Sequence, residues 1–140
     1  MKKWLWAFAA LVAVGILICG AASAESSGTC GTDLTWTLDD NGVLTISGSG
    51  AMKNYVNTDV PWYSQRMEIN EVVLENGVSS IGDYAFVCCG YLTSITIPDS
   101  VVSIGDSVFS NCISLSSITI PNSVVSIGGG GFFKIGRAHV

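Results

Sequence analysis

The pentapeptide Ser-Ile-Thr-Ile-Pro occurs twice, at residues 94–98 and 117–121, and this repetition constrains the fold more than any other feature of the chain. Laying residues 78–100 over 101–123 gives 14 identical positions in 23, among them Ile81/Ile104, Gly82/Gly105, Phe86/Phe109, Cys89/Cys112 and Leu92/Leu115. A third copy opens at Val124, keeps Ser126, Ile127 and Gly128, and recovers the Phe column at Phe132. Upstream, Ile69, Val72 and Leu74 fall in the columns of Leu92, Ile95 and Ile97, so a diverged first unit is placed at residues 55–77. A unit this short exposes both faces of its own apolar core. Burial offsets the entropy of ordering its backbone only when neighbouring units cover those faces. Such units stack, each copy serving as the template for the next.

Within a unit, Leu92-x-x-Ile95-x-Ile97-x-x-Ser100-x-Val102 has the spacing of leucine-rich repeats, with Ser where Asn is usual. Leu115, Ile118, Ile120, Ser123 and Val125 fill the same slots one unit on. The expected fold is a β-rich solenoid: leucine-rich repeats with 23-residue coils and one short parallel sheet, two full coils plus a partial third over residues 78–133. A strand over residues 94–97 points Ile95 and Ile97 inward and Ser94 and Thr96 outward. Pro98 ends it, because Pro has no N–H to give a neighbouring coil.

Leucine-rich repeats usually bind through this outward strand face. Its columns read Glu71/Ser94/Ser117, Val73/Thr96/Thr119 and Glu75/Pro98/Pro121, which makes Glu71, Val73, Ser94, Thr96, Ser117 and Thr119 the candidate ligand-facing residues. Small hydroxyls dominate, and no Trp, Tyr or Arg stands there to anchor a tight interface. Two readings compete. Either the coils are spacer whose Ser/Thr ladder satisfies a solvated sheet, or each coil binds weakly and many coils add strength.

The phrases VSSIGDYAFVCCGYLTSITIPDSV and VVSIGDSVFSNCISLSSITIPNSV resemble the BspA-type leucine-rich repeats of bacterial surface and secreted proteins. LTWTLDDNGVLTISGSGAMKNY, followed by PWY, resembles the module that often precedes them. The resemblance covers nearly all of residues 30–133. It implies binding of an extracellular protein, a host-matrix or cell-surface protein, without catalysis and without a named ligand.

At the amino terminus, Lys2 and Lys3 precede an apolar run over residues 4–18, and Ala22-Ser23-Ala24 has the small-x-small form of a signal-peptidase site. The run is short for a membrane span of about 20 residues. A lipoprotein acylated at Cys19 is the rival reading, but Ile18 occupies its small-residue position. The expectation is a signal peptide at residues 1–24, cleaved near Ala24, and a mature protein secreted or held at the cell surface with no membrane span. That mature chain carries Lys53, Arg66, Lys134 and Arg137 against eleven acidic residues, a net charge of 4 − 11 = −7. Such a surface repels a phosphate backbone, so no nucleic-acid partner is expected.

Residues 25–54 read as an N-terminal β-hairpin cap. Residues 34–38 and 43–47 alternate apolar and polar, and Asp39-Asp40-Asn41-Gly42 between them is turn chemistry. Leu34, Trp36, Leu38, Leu44 and Ile46 are placed to cover the end of the first coil. The Gly-Ser-Gly-Ala-Met stretch that follows lacks phosphate-loop spacing and reads as a turn. Trp62 and Tyr63 are expected to pack into the variant first coil. At the other end the repeat breaks into GGGGFFKIGRAHV, whose last six residues match the translation of a common sequencing adapter. Residues 134–140 are therefore read as an artefactual tail, and a solenoid left open in its third coil is expected to aggregate.

No catalytic, cofactor-binding or metal-binding residue is assigned. His139, the single His, lies in that tail, so no Ser-His or Cys-His pair is available. Mature Cys30, Cys88, Cys89 and Cys112 allow three disulfide pairings. Cys89 and Cys112 share a column with Cα atoms ~4.8 Å apart, yet stacked side chains point in parallel, which favours buried thiols over a bridge. No C-x-x-C spacing suggests zinc. Asp83 and Asp106 also share a column, and the reading preferred to a calcium ladder is a turn residue accepting backbone N–H groups. The function expected is protein binding or adhesion at the bacterial surface, the alternative a stalk presenting a further domain.

Overall fold

The computed structural model describes residues 26–130; the expected signal peptide, Phe132 and the expected tail lie outside the described residues. Three antiparallel strands come first, β1 (Ser26–Thr29), β2 (Leu34–Leu38) and β3 (Val43–Gly48). Alternation does its work in β2, where Leu34, Trp36 and Leu38 are buried while Thr35 and Thr37 face solvent. The β2–β3 turn is fastened by Asp39, whose Oδ1 accepts from the Asn41 and Val43 amides at 2.8 and 3.0 Å. β1 has no apolar alternation to announce it. Its backbone pairing with β2 and a hydrogen bond from Gln65 to the Ser26 hydroxyl hold it in place.

After β4 (Gly50–Ala51) and two 3-10 turns, Asn57–Asp59 and Tyr63–Glu68, the repeats supply β5 (Glu71–Leu74), β6 (Val78–Ile81), β7 (Ser94–Thr96), β8 (Ser103–Ile104) and β9 (Ser126–Ile127). They form two parallel ladders, not the single one expected. The first sheet runs β1-β2-β3-β5-β7, turning parallel at β3–β5; the second runs β4-β6-β8-β9 and is parallel throughout. Glu71 pairs with Ser94 and Ser80 with Ser103, so each step is 94 − 71 = 103 − 80 = 23 residues. The step from β3 to β5 is 71 − 43 = 28 residues, the surplus being taken up by the 3-10 turns.

A serine turns the chain from one sheet to the other. Ser100 Oγ accepts from the Gly77 amide at 3.0 Å and donates to the Val78 carbonyl at 2.7 Å, and Ser123 donates to the Val101 carbonyl at 2.7 Å. Past this turn the leucine-rich spacing slips by one residue. Val101 is buried, whereas Val102 and Val125, the residues in the final leucine slot, are 47% and 84% exposed. Val102 lies on the outside, its amide donating to the Ser79 carbonyl of the preceding unit. Two further departures concern the strand: Ile95 and Ile97 are half-buried against the core, and the second pentapeptide keeps only a single bridge at Ser117.

The core is one cluster extending from Cys30 to Ile118, with an aromatic column through its centre. Trp62, fully buried, stacks on Phe86 at 5.8 Å, and Phe86 on Phe109 at 5.9 Å; Trp36 meets Trp62 edge-on at 5.6 Å. Trp62 thus takes the Phe position of the diverged unit, its Nε1 donating to the Ala85 carbonyl at 2.8 Å. Tyr63 beside it is half-buried and packs against the same cluster.

Candidate functional site

Across the outer face of the first sheet, register decides which side chains meet. Glu71 lies beside Ser94 and Val73 beside Thr96, while Ser117, which holds a single bridge, and Thr119 are the equivalents of Ser94 and Thr96 23 residues on. Ser94, Thr96, Ser117 and Thr119 are exposed, and Glu71 and Val73 are half-buried. Outward and inward alternate along each strand, so the buried partners Val72 and Leu74 hold these positions from below.

The same rows extend onto the antiparallel strands, which sequence reasoning did not include. Val43 pairs with Glu71, Thr45 with Val73, Thr37 with Thr45 and Thr35 with Ser47, the last pair with hydroxyls 3.4 Å apart. The signal was the Thr-x-Thr and Thr-x-Ser spacing of residues 35–37 and 45–47. A second omission borders the face, in the turn that enters each strand, where Met67, Tyr91 and Ile113 are 52%, 56% and 65% exposed. The visible sign was large apolar residues just ahead of the Ile69/Leu92/Leu115 column.

Charge around the face is one-sided. Glu68, Glu71 and Glu75 have no ion pair among the described residues. Arg66 is turned away from them, its guanidinium 4.1 Å over the Tyr63 ring and its terminal nitrogen donating to the Tyr63 carbonyl at 3.0 Å.

The carboxylate column works as a staple between units. Asp83 Oδ1 accepts from the Asp106 amide at 2.8 Å, Asp106 Oδ1 from the Gly129 amide at 3.0 Å, and Asn54 Oδ1 from the Asp83 amide at 3.0 Å. These are backbone N–H groups, as expected, but they belong to the next unit and not to the residue's own turn. The Gly that precedes each Asp is required by this closeness: a Cβ at Gly105 would lie 2.7 Å from the Asp83 amide nitrogen. Among the described residues no group of three or more His, Cys, Asp or Glu is arranged to hold a metal ion.

The four described cysteines are free thiols, and Cys112 donates to the Phe86 carbonyl at 3.1 Å. Burial pushes Cys112 up to about 12 against an opposing backbone hydrogen bond from Cys89, with Cys88 adding to the rise. Burial, with Cys112 and Cys88 nearby, also pushes Cys89 up. A cleft of about 530 Å³ is lined by Thr29, Cys30, Lys53, Tyr55 and Asp59. There burial raises Cys30 to about 11 and raises Tyr55 as well, so both stay protonated at neutral pH and neither is an activated nucleophile.

Comparison with known proteins follows the repeats. The BspA type leucine-rich repeat region matches in six copies over residues 62–137. The chain belongs to the BspA-type leucine-rich repeat family. It is similar to the crystal structure of a leucine-rich repeat protein from Eubacterium ventriosum, with 30% identity and a TM-score of 0.70 over 82% of this chain and 36% of that one. A leucine-rich repeat protein from Bacteroides ovatus shares the fold at 23% identity, with a TM-score of 0.56 over 74% of this chain and 32% of that one. The chain thus spans about a third of the length of these relatives. A search of curated proteins found no match. BspA-type repeats belong to bacterial proteins that engage other proteins and are typically not enzymes. Among the described residues no helix is long and apolar enough to cross a membrane.

Proposed function

We propose that this chain belongs to an exported leucine-rich-repeat protein that binds a protein at the bacterial surface, a host-matrix or cell-surface protein being the class of ligand. In this reading residues 1–24 are a removed leader, and residues 25–54 cap a solenoid of 23-residue coils. The coils present Glu71, Val73, Ser94, Thr96, Ser117 and Thr119 as the contact face. The observation that carries it is the in-register pairing of Glu71 with Ser94 and Val73 with Thr96, which supports two continuous rows on one solvent-facing surface. Parallel pairing in both sheets supports stacking of the coils, and the burial of Leu34, Leu38, Leu44 and Ile46 under antiparallel strands supports the cap.

The test is biolayer interferometry of the full chain against immobilised extracellular-matrix and cell-surface proteins. A Thr96→Trp variant, which crowds the centre of the face without touching the core, accompanies the wild type. Saturable binding weakened at least tenfold by the substitution is the expected result. Binding that ignores Thr96→Trp, or none to any member of the panel, assigns the face to the spacer role that its small hydroxyls also suit.

A further inference from the structure

The turn that enters each strand of the first sheet is built alike in three successive units. Ile69 N donates to Arg66 O at 3.4 Å, Leu92 N to Cys89 O at 3.1 Å and Leu115 N to Cys112 O at 3.1 Å. These equivalent bonds place Met67, Gly90 and Ile113 in one column and Glu68, Tyr91 and Ser114 in the next. Side contacts confirm the stacking, since Ser114 Oγ donates to the Gly90 carbonyl at 2.6 Å and Thr93 N to the Asn70 carbonyl at 2.9 Å.

The column is uneven in a useful way. Met67 and Ile113 are exposed on either side of Gly90, and a Cβ added at Gly90 would meet nothing within 4 Å. With units ~4.8 Å apart, the two apolar side chains stand two steps, or roughly 10 Å, from each other. The glycine between them leaves a notch, and Tyr91 is exposed beside it. Aliphatic side chains on both sides and an aromatic beside them are what an apolar anchor residue of a partner can insert between.

Charge selects the partner. Glu68 occupies Tyr91's column, Glu71 lies three positions on, and neither has an ion pair among the described residues. Lys53 and Arg66 are the only basic residues in 26–130 against ten acidic ones, and Arg66 is committed to Tyr63. An acidic rim around an apolar notch is complementary to a cationic segment with an apolar anchor.

We infer that the ridge formed by Met67, Gly90, Tyr91 and Ile113 docks a basic, extended segment of a partner protein, which inserts one aliphatic side chain into the Gly90 notch while its Lys or Arg residues face Glu68 and Glu71. The inference rests on the protein-binding reading above and places the anchor at the border of the strand face, where that face has none.

The probe is a short fluorescein-labelled peptide with a central leucine flanked by lysines, titrated with the full chain and followed by anisotropy. Two controls accompany it, one with central glycine and the same charge, one with glutamates in place of the lysines. The expected result is saturable binding at least tenfold tighter than either control. Gly90→Leu fills the notch without altering charge, and the open space at its Cβ leaves the fold intact by circular dichroism; it is expected to weaken the leucine peptide at least tenfold and leave the central-glycine peptide unchanged. Glu68→Gln is expected to weaken both basic peptides and flatten their salt dependence. Equal binding by wild type and Gly90→Leu, or by basic and acidic peptides, overturns the ridge assignment. Loss with Thr96→Trp but not with Gly90→Leu overturns it too, and leaves the strand-face reading standing. Failure of the protein panel with retained, Gly90-dependent peptide binding supports the ridge and sinks the strand face.

Discussion

Replacing Ser100 with alanine isolates the device that turns the chain between its two sheets. The hydroxyl is half-buried and makes two bonds to the preceding unit, accepting from the Gly77 amide at 3.0 Å and donating to the Val78 carbonyl at 2.7 Å. A net hydrogen bond contributes about 0.5–1.5 kcal/mol, and a partly buried amide left without a partner costs about 1–3 kcal/mol. No other acceptor for the Gly77 amide is seen among the described residues. Ser100→Ala is therefore expected to destabilise the fold by about 2–3 kcal/mol. Ser123 supplies the internal control, because its hydroxyl makes one described bond, to Val101, and Ser123→Ala is expected to cost only about 1 kcal/mol. Urea unfolding followed by the fluorescence of buried Trp36 and Trp62 measures both, with an unchanged m-value as the condition for comparison. Equal losses for the two variants, or a loss below about 0.5 kcal/mol for Ser100→Ala, would refute the argument that the serine fastens the turn through a pair of bonds.

Other outcomes follow from the same packing. Cys88 holds φ 61°, matched one unit on by Asn111 at 63°; Cys88→Asn is expected to stabilise by up to about 1 kcal/mol and Cys88→Val to destabilise by more than that, both read by urea unfolding. Phe86→Ala, which empties the column between Trp62 and Phe109, is expected to cost about 3–5 kcal/mol, whereas Tyr91→Ala on the exposed ridge leaves the midpoint unchanged. Because burial raises Cys112 from 9.0 to about 12, its contribution is present in full below about pH 9 and is lost as pH climbs toward 12. At about 1.4 kcal/mol per unit, the loss is on the order of 4 kcal/mol. Urea midpoints at stepped pH should stay flat from 7 to 8.5 and then fall, and a Cys112→Ala variant should fall less steeply.

The pairing of Glu71 with Ser94 was legible because Ile69, Val72 and Leu74 of the diverged unit fall in the columns of Leu92, Ile95 and Ile97 and fix its register, and the turn at residues 39–42 because its chemistry is local. What stayed hidden has physical causes. Val78-Ser79-Ser80-Ile81 does not alternate apolar and polar, so nothing marked it as a strand until stacking supplied its partners at Ser103 and Ile104. The slip at Val102 arises from the Ser100 bonds, which reset the inward direction after the consensus spacing has run out. Asp83 was read with the right chemistry and too short a reach, since a sequence displays neighbours along the chain and not across the stack. Trp62 was placed in the first coil but not in its slot: the 23-residue register puts Tyr63 ahead of Phe86, and the diverged coil instead seats Trp62, 24 residues ahead, on the Phe86 ring.

Differences between the two full copies say where recognition can vary. Ser94, Ile95, Thr96, Ile97 and Pro98 recur unchanged at residues 117–121, so the outward strand rows offer a partner nearly the same surface at each step. Residues 84–93 differ from 107–116 at seven of ten positions, while Phe86, Cys89 and Leu92, which point into the core, are the three that match. At the outer positions among them substitution meets little resistance: Gly90 and Ile113 exchange at a site where a side chain enters open space, and Tyr91 and Ser114 where it lies in solvent. A strand face built from repeated hydroxyls stacks in register at almost any length. Selectivity for one partner needs positions that differ from step to step, and the ridge supplies such positions beside the first sheet, Gly90/Ile113 and Tyr91/Ser114, next to the variable, exposed pairs Thr93/Ser116 and Asp99/Asn122.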